Sequence, residues 1–321
     1  MGVGERTHSL QDICGSEDST EKLSNPTPSV FISSMGIFFA FLSLFGWGFG
    51  DFLIQKSCRE FGKWAALFFV TATAAILLTP FVYKDILVTF SSNRAAFILC
   101  ITSIVLLFTS LFNFQGLRDG KICVVVPICA LEIPVAAGLA SIFLSEHLSF
   151  LQIISITFLI VGIFFISVKS LSQLKKIKVE KGVIYAFLGA IGMGATNFLF
   201  GVGARETNPL MINWFASLVV AIITLIYILS RSRRGEILRD WHKDKLLIVG
   251  AGLIDNAAWI AYSYSTLFIP IAVATSISEA YIALAAILGL TFNHELLRKH
   301  QILGLLITVA AAITLAAVTA N

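Results

Sequence analysis

Four carboxylates stand within long apolar stretches of this 321-residue chain: Asp51, Glu132, Asp255 and Glu279. A charged side chain at the centre of a bilayer costs at least about 2.5 to 3.5 kcal/mol on insertion scales. The interiors of these stretches hold no Lys or Arg; Lys56 marks the edge of the first. Each acid must therefore be protonated, face water or meet a cation. Glu132 and Glu279 form the sharpest pair, each near the middle of its apolar run. Two carboxyls on a shared cavity could hold a proton or a cationic group such as a substrate amine. The plain alternative is a protonated Glu bonded to a neighbouring helix.

Other residues join them as candidates. Asp255 and Asn256, with Trp259, Tyr262 and Tyr264, make a polar-aromatic surface suited to a substrate pocket. An interfacial aromatic belt is the alternative for the tyrosines. Asp51 closes the run Gly46-Trp47-Gly48-Phe49-Gly50-Asp51, where glycines allow helix backbones to approach closely. Asn113, Gln115, Asn197, Asn213 and Trp214 are further polar candidates, residue types that more often bond helix to helix than bind ligand. Glu146-His147 and His294-Glu295 read as interfacial or capping groups. Pro127 and Pro134 flank Glu132 and are expected to bend that helix, freeing carbonyls to line a cavity.

The elements that carry these residues follow from composition. Of the chain, 57% is hydrophobic and 13% charged, against about 25% charged in soluble domains. A span needs roughly 20 mostly apolar residues. Ten runs qualify: 35–56, 64–83, 95–117, 122–144 and 150–168, then 182–203, 209–230, 246–268, 270–292 and 301–319. In hydrocarbon the backbone must bond within its own segment or in a closed barrel, and the alternating strands of a barrel are absent. The expected fold is an all-α integral membrane protein, multi-pass, in the plasma (cell inner) membrane.

An internal repeat divides the chain. Gly36-Ile-Phe-Phe-Ala40-Phe41-Leu42, with Gly46, Gly48, Asp51, Phe52 and Leu53, matches Gly182-Val-Ile-Tyr-Ala186-Phe187-Leu188, with Gly192, Gly194, Asn197, Phe198 and Leu199. Glu132 falls against Glu279, and Glu146 and Gln152 against Glu295 and Gln301. Five spans per copy is an odd number, so the second copy enters the membrane inverted. Inverted repeats place substrate near the midplane between the halves. The expected organisation is a disordered polar tail (1–32), a first five-helix repeat (33–168), a basic linker (169–181) and a second repeat (182–321).

Charge and motif content exclude other classes. Lys and Arg sit in short gaps, not in the contiguous patch a nucleic-acid face needs. Eighteen of the 23, counting Lys56 at the edge of the first, fall in the gaps after the odd-numbered spans; the positive-inside rule then places both termini outside. The five cysteines make no CxxC pair, so no metal site or cofactor is expected. No GxxxxGK[ST] loop appears, so any drive must come from a gradient, of protons or of the substrate itself.

The two Gly-rich first helices, Gly36–Leu53 and Gly182–Leu199, and the acidic turns after each fourth helix resemble the EamA-type branch of the drug/metabolite transporter superfamily. The turns run from Leu131-Glu132-Ile133-Pro134 to Glu146-His-Leu148 and from Ser278-Glu279 to His294-Glu295-Leu296. The resemblance covers residues 33 to 319. It implies a central cavity between the halves, a small-molecule substrate, alternating access and termini in the cytoplasm, opposite to the charge count. The second half departs from the pattern, with Glu279-Ala280 where the first has Glu132-Ile133-Pro134. Two other classes compete. Gly48-Phe49-Gly50-Asp51 matches the GxGD string of intramembrane aspartyl proteases, without their second Asp motif; a non-transporting scaffold is the other.

Overall fold

The computed structural model describes residues 28–119, 128–168, 181–231, 239, 243–284 and 298–320, apart from the side chains of 28–30, 51, 55, 117–119 and 181–183. The basic linker, His294-Glu295, Pro127 and the Asp51 side chain thus lie outside the described residues, as does most of the polar tail. The described elements are helices. In chain order they are α1 (Pro28–Phe61), α2 (Lys63–Val82), α3 (Ile86–Ser91), α4 (Asn93–Asp119), α5 (Glu132–Leu144), α6 (Phe150–Ser167), α7 (Lys181–Glu206), α8 (Pro209–Ser230), α9 (Lys245–Phe268), α10 (Ile271–Glu279) and α11 (Lys299–Ala320). Eight are long and apolar enough to cross a membrane; α5 and the segment Ile271–Leu284 are shorter and apolar.

Local chemistry sets the boundaries. Gly62 alone joins α1 to α2, with a φ of 82° that a side chain would resist. Ser149 and Gln152 form a capping box at the start of α6. Gln301, the repeat counterpart of Gln152, accepts from the Arg298 N–H at 3.1 Å in front of α11. Asn208 and Asp244 accept from N–H groups in the first turns of α8 and α9. Buried hydroxyls such as Thr71, Thr102 and Thr224 donate to carbonyls one turn back, so they satisfy themselves without water.

The packing repeats with a two-fold logic. Helix α1 lies along α9 of the other half, and its counterpart α7 lies along α4. Helices α2 and α8 pair across the axis, as do α6 and α11. The α1–α9 pair is antiparallel: Gly36 meets Phe268 and Ile269, while Lys56 and Glu60 reach Asp244 and Lys243. Glycines set the closeness. A Cβ on Gly46 would stand 2.6 Å from the Ala258 Cβ, and one on its counterpart Gly192 would collide with the Thr109 hydroxyl. The outer faces carry Phe38, Phe52, Ile76, Phe81, Ile142 and Leu306 fully in the open, as hydrocarbon solvent allows.

Both fourth segments are broken beside their acid. Ala130 and Leu131 form a turn before α5, and Glu132 opens that helix; α10 ends at Glu279, Ala280 is a turn, and Tyr281–Leu284 is helical again. Pro134 does not bend α5. It sits in the first turn, where the N–H it lacks has no helical partner to lose. The irregularity expected at proline falls one turn earlier, at Ala130 and Leu131, where the ring of Pro134 excludes the carbonyl four residues back.

Candidate functional site

A cavity of about 90 Å³ lies between the two halves, with room for several waters or a small polar group. Three intramembrane acids line it: Glu132 from the start of α5, Asp255 from α9 and Glu279 from the end of α10. All three are buried. Asn197 on α7 and Asn256 on α9 share the wall, with Ser110 and Asn113 from α4 and Asn213 and Ser217 from α8. Among the described residues, the lining holds no Lys, Arg or His.

Aromatic rings shape the other wall. The Trp47 and Trp259 centroids are 5.1 Å apart in a T-shaped contact, and Phe200 lies 4.5 Å from Trp259. Tyr262, named as a candidate from sequence, stands behind this wall. It is fully buried, and its hydroxyl bonds the Asn197 carbonyl at 3.0 Å and Thr275 Oγ1 at 2.9 Å. That position is neither an interfacial belt nor a pocket surface; it ties α9 to α7 and α10. Tyr264 stacks on Phe39, with centroids 5.2 Å apart.

The asparagines divide by role. Asn213 donates to Pro209 O at 2.7 Å and to Ser263 Oγ at 2.8 Å. Asn256 donates to Val70 O at 2.9 Å and Gly252 O at 2.6 Å. Both amides bond helices together. Trp214 likewise donates to Thr79 Oγ1 at 2.9 Å.

At the end where α7 and α9 finish, a charged clasp closes the bundle. Arg205 Nη1 meets Glu146 Oε1 at 2.6 Å, Nε donates to Thr266 O at 2.7 Å, and Nη2 donates to Ile269 O at 3.2 Å. The other Glu146 oxygen accepts the Ile271 N–H at 2.9 Å, at the start of α10. A carboxylate there is favoured by the helix dipole. The cavity lies away from this clasp, toward the α1–α2 end, since Ile54 and Leu67 line it.

Reading the sequence by residue type singled out neither Arg205 nor Trp47 as a site residue. Arg205 lies two residues past an apolar run. Its counterpart at the repeat spacing, Arg59, is an available signal, because a basic residue recurs at the same place in both copies. Trp47 sits among glycines whose packing role drew the attention, and Ser110, Ser217, Met193 and Tyr281 carry no motif.

The model of the EamA-like transporter family matches residues 34–168 and again 180–317. The chain belongs to this family. It is therefore a multi-pass membrane protein of the transporter class, built from two EamA repeats; family members are transporters rather than enzymes. An uncharacterized protein of Methanocaldococcus jannaschii is 25% identical over 126 residues, which cover 39% of this chain and 90% of that protein. That relative is thus matched nearly whole by a stretch little shorter than one EamA repeat. A solved crystal structure, 11% identical, superposes with a TM-score of 0.68 over 90% of this chain and 96% of its own. At that identity the likeness concerns the fold.

Proposed function

We propose that this EamA-family chain carries small amine-bearing cations across the membrane by alternating access, using the cavity between its halves. One observation carries the reading. Glu132, Asp255 and Glu279 line a space walled by Trp47, Trp259 and Phe200, with no basic residue among the described lining residues. An ammonium group there gains carboxylate partners and the negative faces of aromatic rings. A substrate carboxylate would meet three acids, which disfavours amino acids and other anions.

The turns that interrupt the helical pattern beside Glu132 and Glu279 support the same reading, since irregular helix segments at the repeat interface are where transporters of this general build bind ligand. The Arg205–Glu146 clasp supplies a closed end, and the inverted repeat supplies a second arrangement of equal architecture. A proton on Glu132 or Glu279 alternates with the bound amine, so exchange of amine for proton is the expected drive.

The test is flux into proteoliposomes of the purified chain, comparing primary amines, zwitterionic amino acids, neutral sugars and organic anions. Amines should move and respond to a pH gradient. Uptake of anions or sugars without uptake of amines would overturn the reading.

A further inference from the structure

We infer that Asn197 reads a second, neutral hydrogen-bonding group on the substrate, so that the preferred cargo is an ammonium ion that also carries a hydroxyl or amide. This rests on the proposed cationic cargo and narrows it. Asn197 is among the residues that line the cavity and is 1% exposed. Neither its Nδ2 nor its Oδ1 has a hydrogen-bond partner among the described residues. Asn213 and Asn256 line the same cavity, and each donates twice to protein acceptors. Ser43 and Ser57 also hold unpartnered hydroxyls, but neither lines the cavity.

A buried amide that offers both a donor and an acceptor to nothing is strongly penalised unless a ligand completes it. The surroundings hold the backbone that carries that amide. Tyr262 donates to the main-chain carbonyl of Asn197, and Gly194, one turn earlier, lets α7 press against Glu132 O and Val135. The amide is therefore a directional contact carried on a fixed stretch of backbone. The acids and rings select for charge, and Asn197 selects for what the charged molecule carries besides. A site built to bond a hydroxyl discriminates against the methyl analogue far more sharply than an apolar pocket discriminates by size.

Two probe pairs test this, each exchanging a hydroxyl for a methyl: ethanolamine against propylamine, and 4-aminobutanol against pentylamine. Affinities are measured by calorimetry on the full chain in nanodiscs. The wild type should prefer the hydroxyl member of at least one pair about tenfold or more, against the trend of transfer into an apolar site. In Asn197→Leu and Asn197→Ser that ratio should fall to near one and to an intermediate value. Equal binding within both pairs by the wild type, or a preference that survives Asn197→Leu, overturns the role of Asn197 while leaving the cationic cargo intact. Failure of all four amines to bind overturns both.

Discussion

Arg205 and Glu146 join four elements through two side chains. The guanidinium spans the end of α7, the last turn of α9 and the segment behind it, while the carboxylate reaches from the α5–α6 loop to the start of α10. Glu146 is only 12% exposed and Arg205 33%. The ion pairs at the opposite end, Lys56–Asp244 at 3.9 Å and Lys243–Glu60 at 3.5 Å, are longer and more exposed. Exposed pairs of that kind contribute little. The clasp therefore holds one end of the bundle shut far more firmly than the other.

Arg205→Ala should lower stability by about 2 to 4 kcal/mol, since it strands Glu146 and two carbonyls together. Arg205→Lys should recover little, because a single ammonium cannot fork to three acceptors. Thermal unfolding in detergent checks both. A Lys variant as stable as the wild type would reduce the clasp to a simple charge pair.

Gly46→Leu and Gly192→Leu should damage the protein to a similar degree, because the repeat gives each glycine the same task against the opposite half. Overpacking of this kind typically costs about 1 to 3 kcal/mol. Melting temperatures of the two variants should fall together; tolerance of leucine at Gly46 would contradict the α1–α9 contact.

Trp259→Leu should weaken amine binding by about 0.5 to 2 kcal/mol through loss of the ring face. Tyr262→Phe should instead act on stability, by about 1 to 3 kcal/mol, because it frees Thr275 and the Asn197 carbonyl. Calorimetry and thermal unfolding on the same two preparations separate the roles.

Acidification should weaken amine binding, because a protonated carboxyl no longer pairs with ammonium. Affinity is then greatest at the higher pH and falls as protons fill Glu132 or Glu279. Glu132→Gln should bind more weakly and lose the dependence of flux on the pH gradient. Flux in the wild type that ignores the gradient would favour facilitated diffusion.

Much of this was legible in the residues. The match of Gly36–Leu53 with Gly182–Leu199 announced the two halves, and the rarity of acids in apolar runs singled out Glu132, Asp255 and Glu279. The pairing of α1 with α9 was not legible, because an apolar helix face does not encode which helix it meets. The turn at Ala280 carries no glycine or proline signal of its own, whereas the one at Ala130-Leu131 lies one turn before Pro134. Nor does an asparagine reveal its role: Asn213 and Asn256 bond partners one turn back and on other helices, and only folding shows that Asn197 has none. Arg205 stayed hidden because its partner Glu146 lies 59 residues away.

Alternate opening of the cavity is the claim on which the rest depends. A cysteine at Ser217, in a chain whose five native cysteines are replaced, reports it through a membrane-impermeant cationic thiol reagent added to either side of oriented vesicles. Labelling is predicted from both faces, and from only one after Glu146→Cys and Arg205→Cys are cross-linked in the same chain before the reagent is added. Labelling confined to one face, with and without the cross-link, would contradict the account.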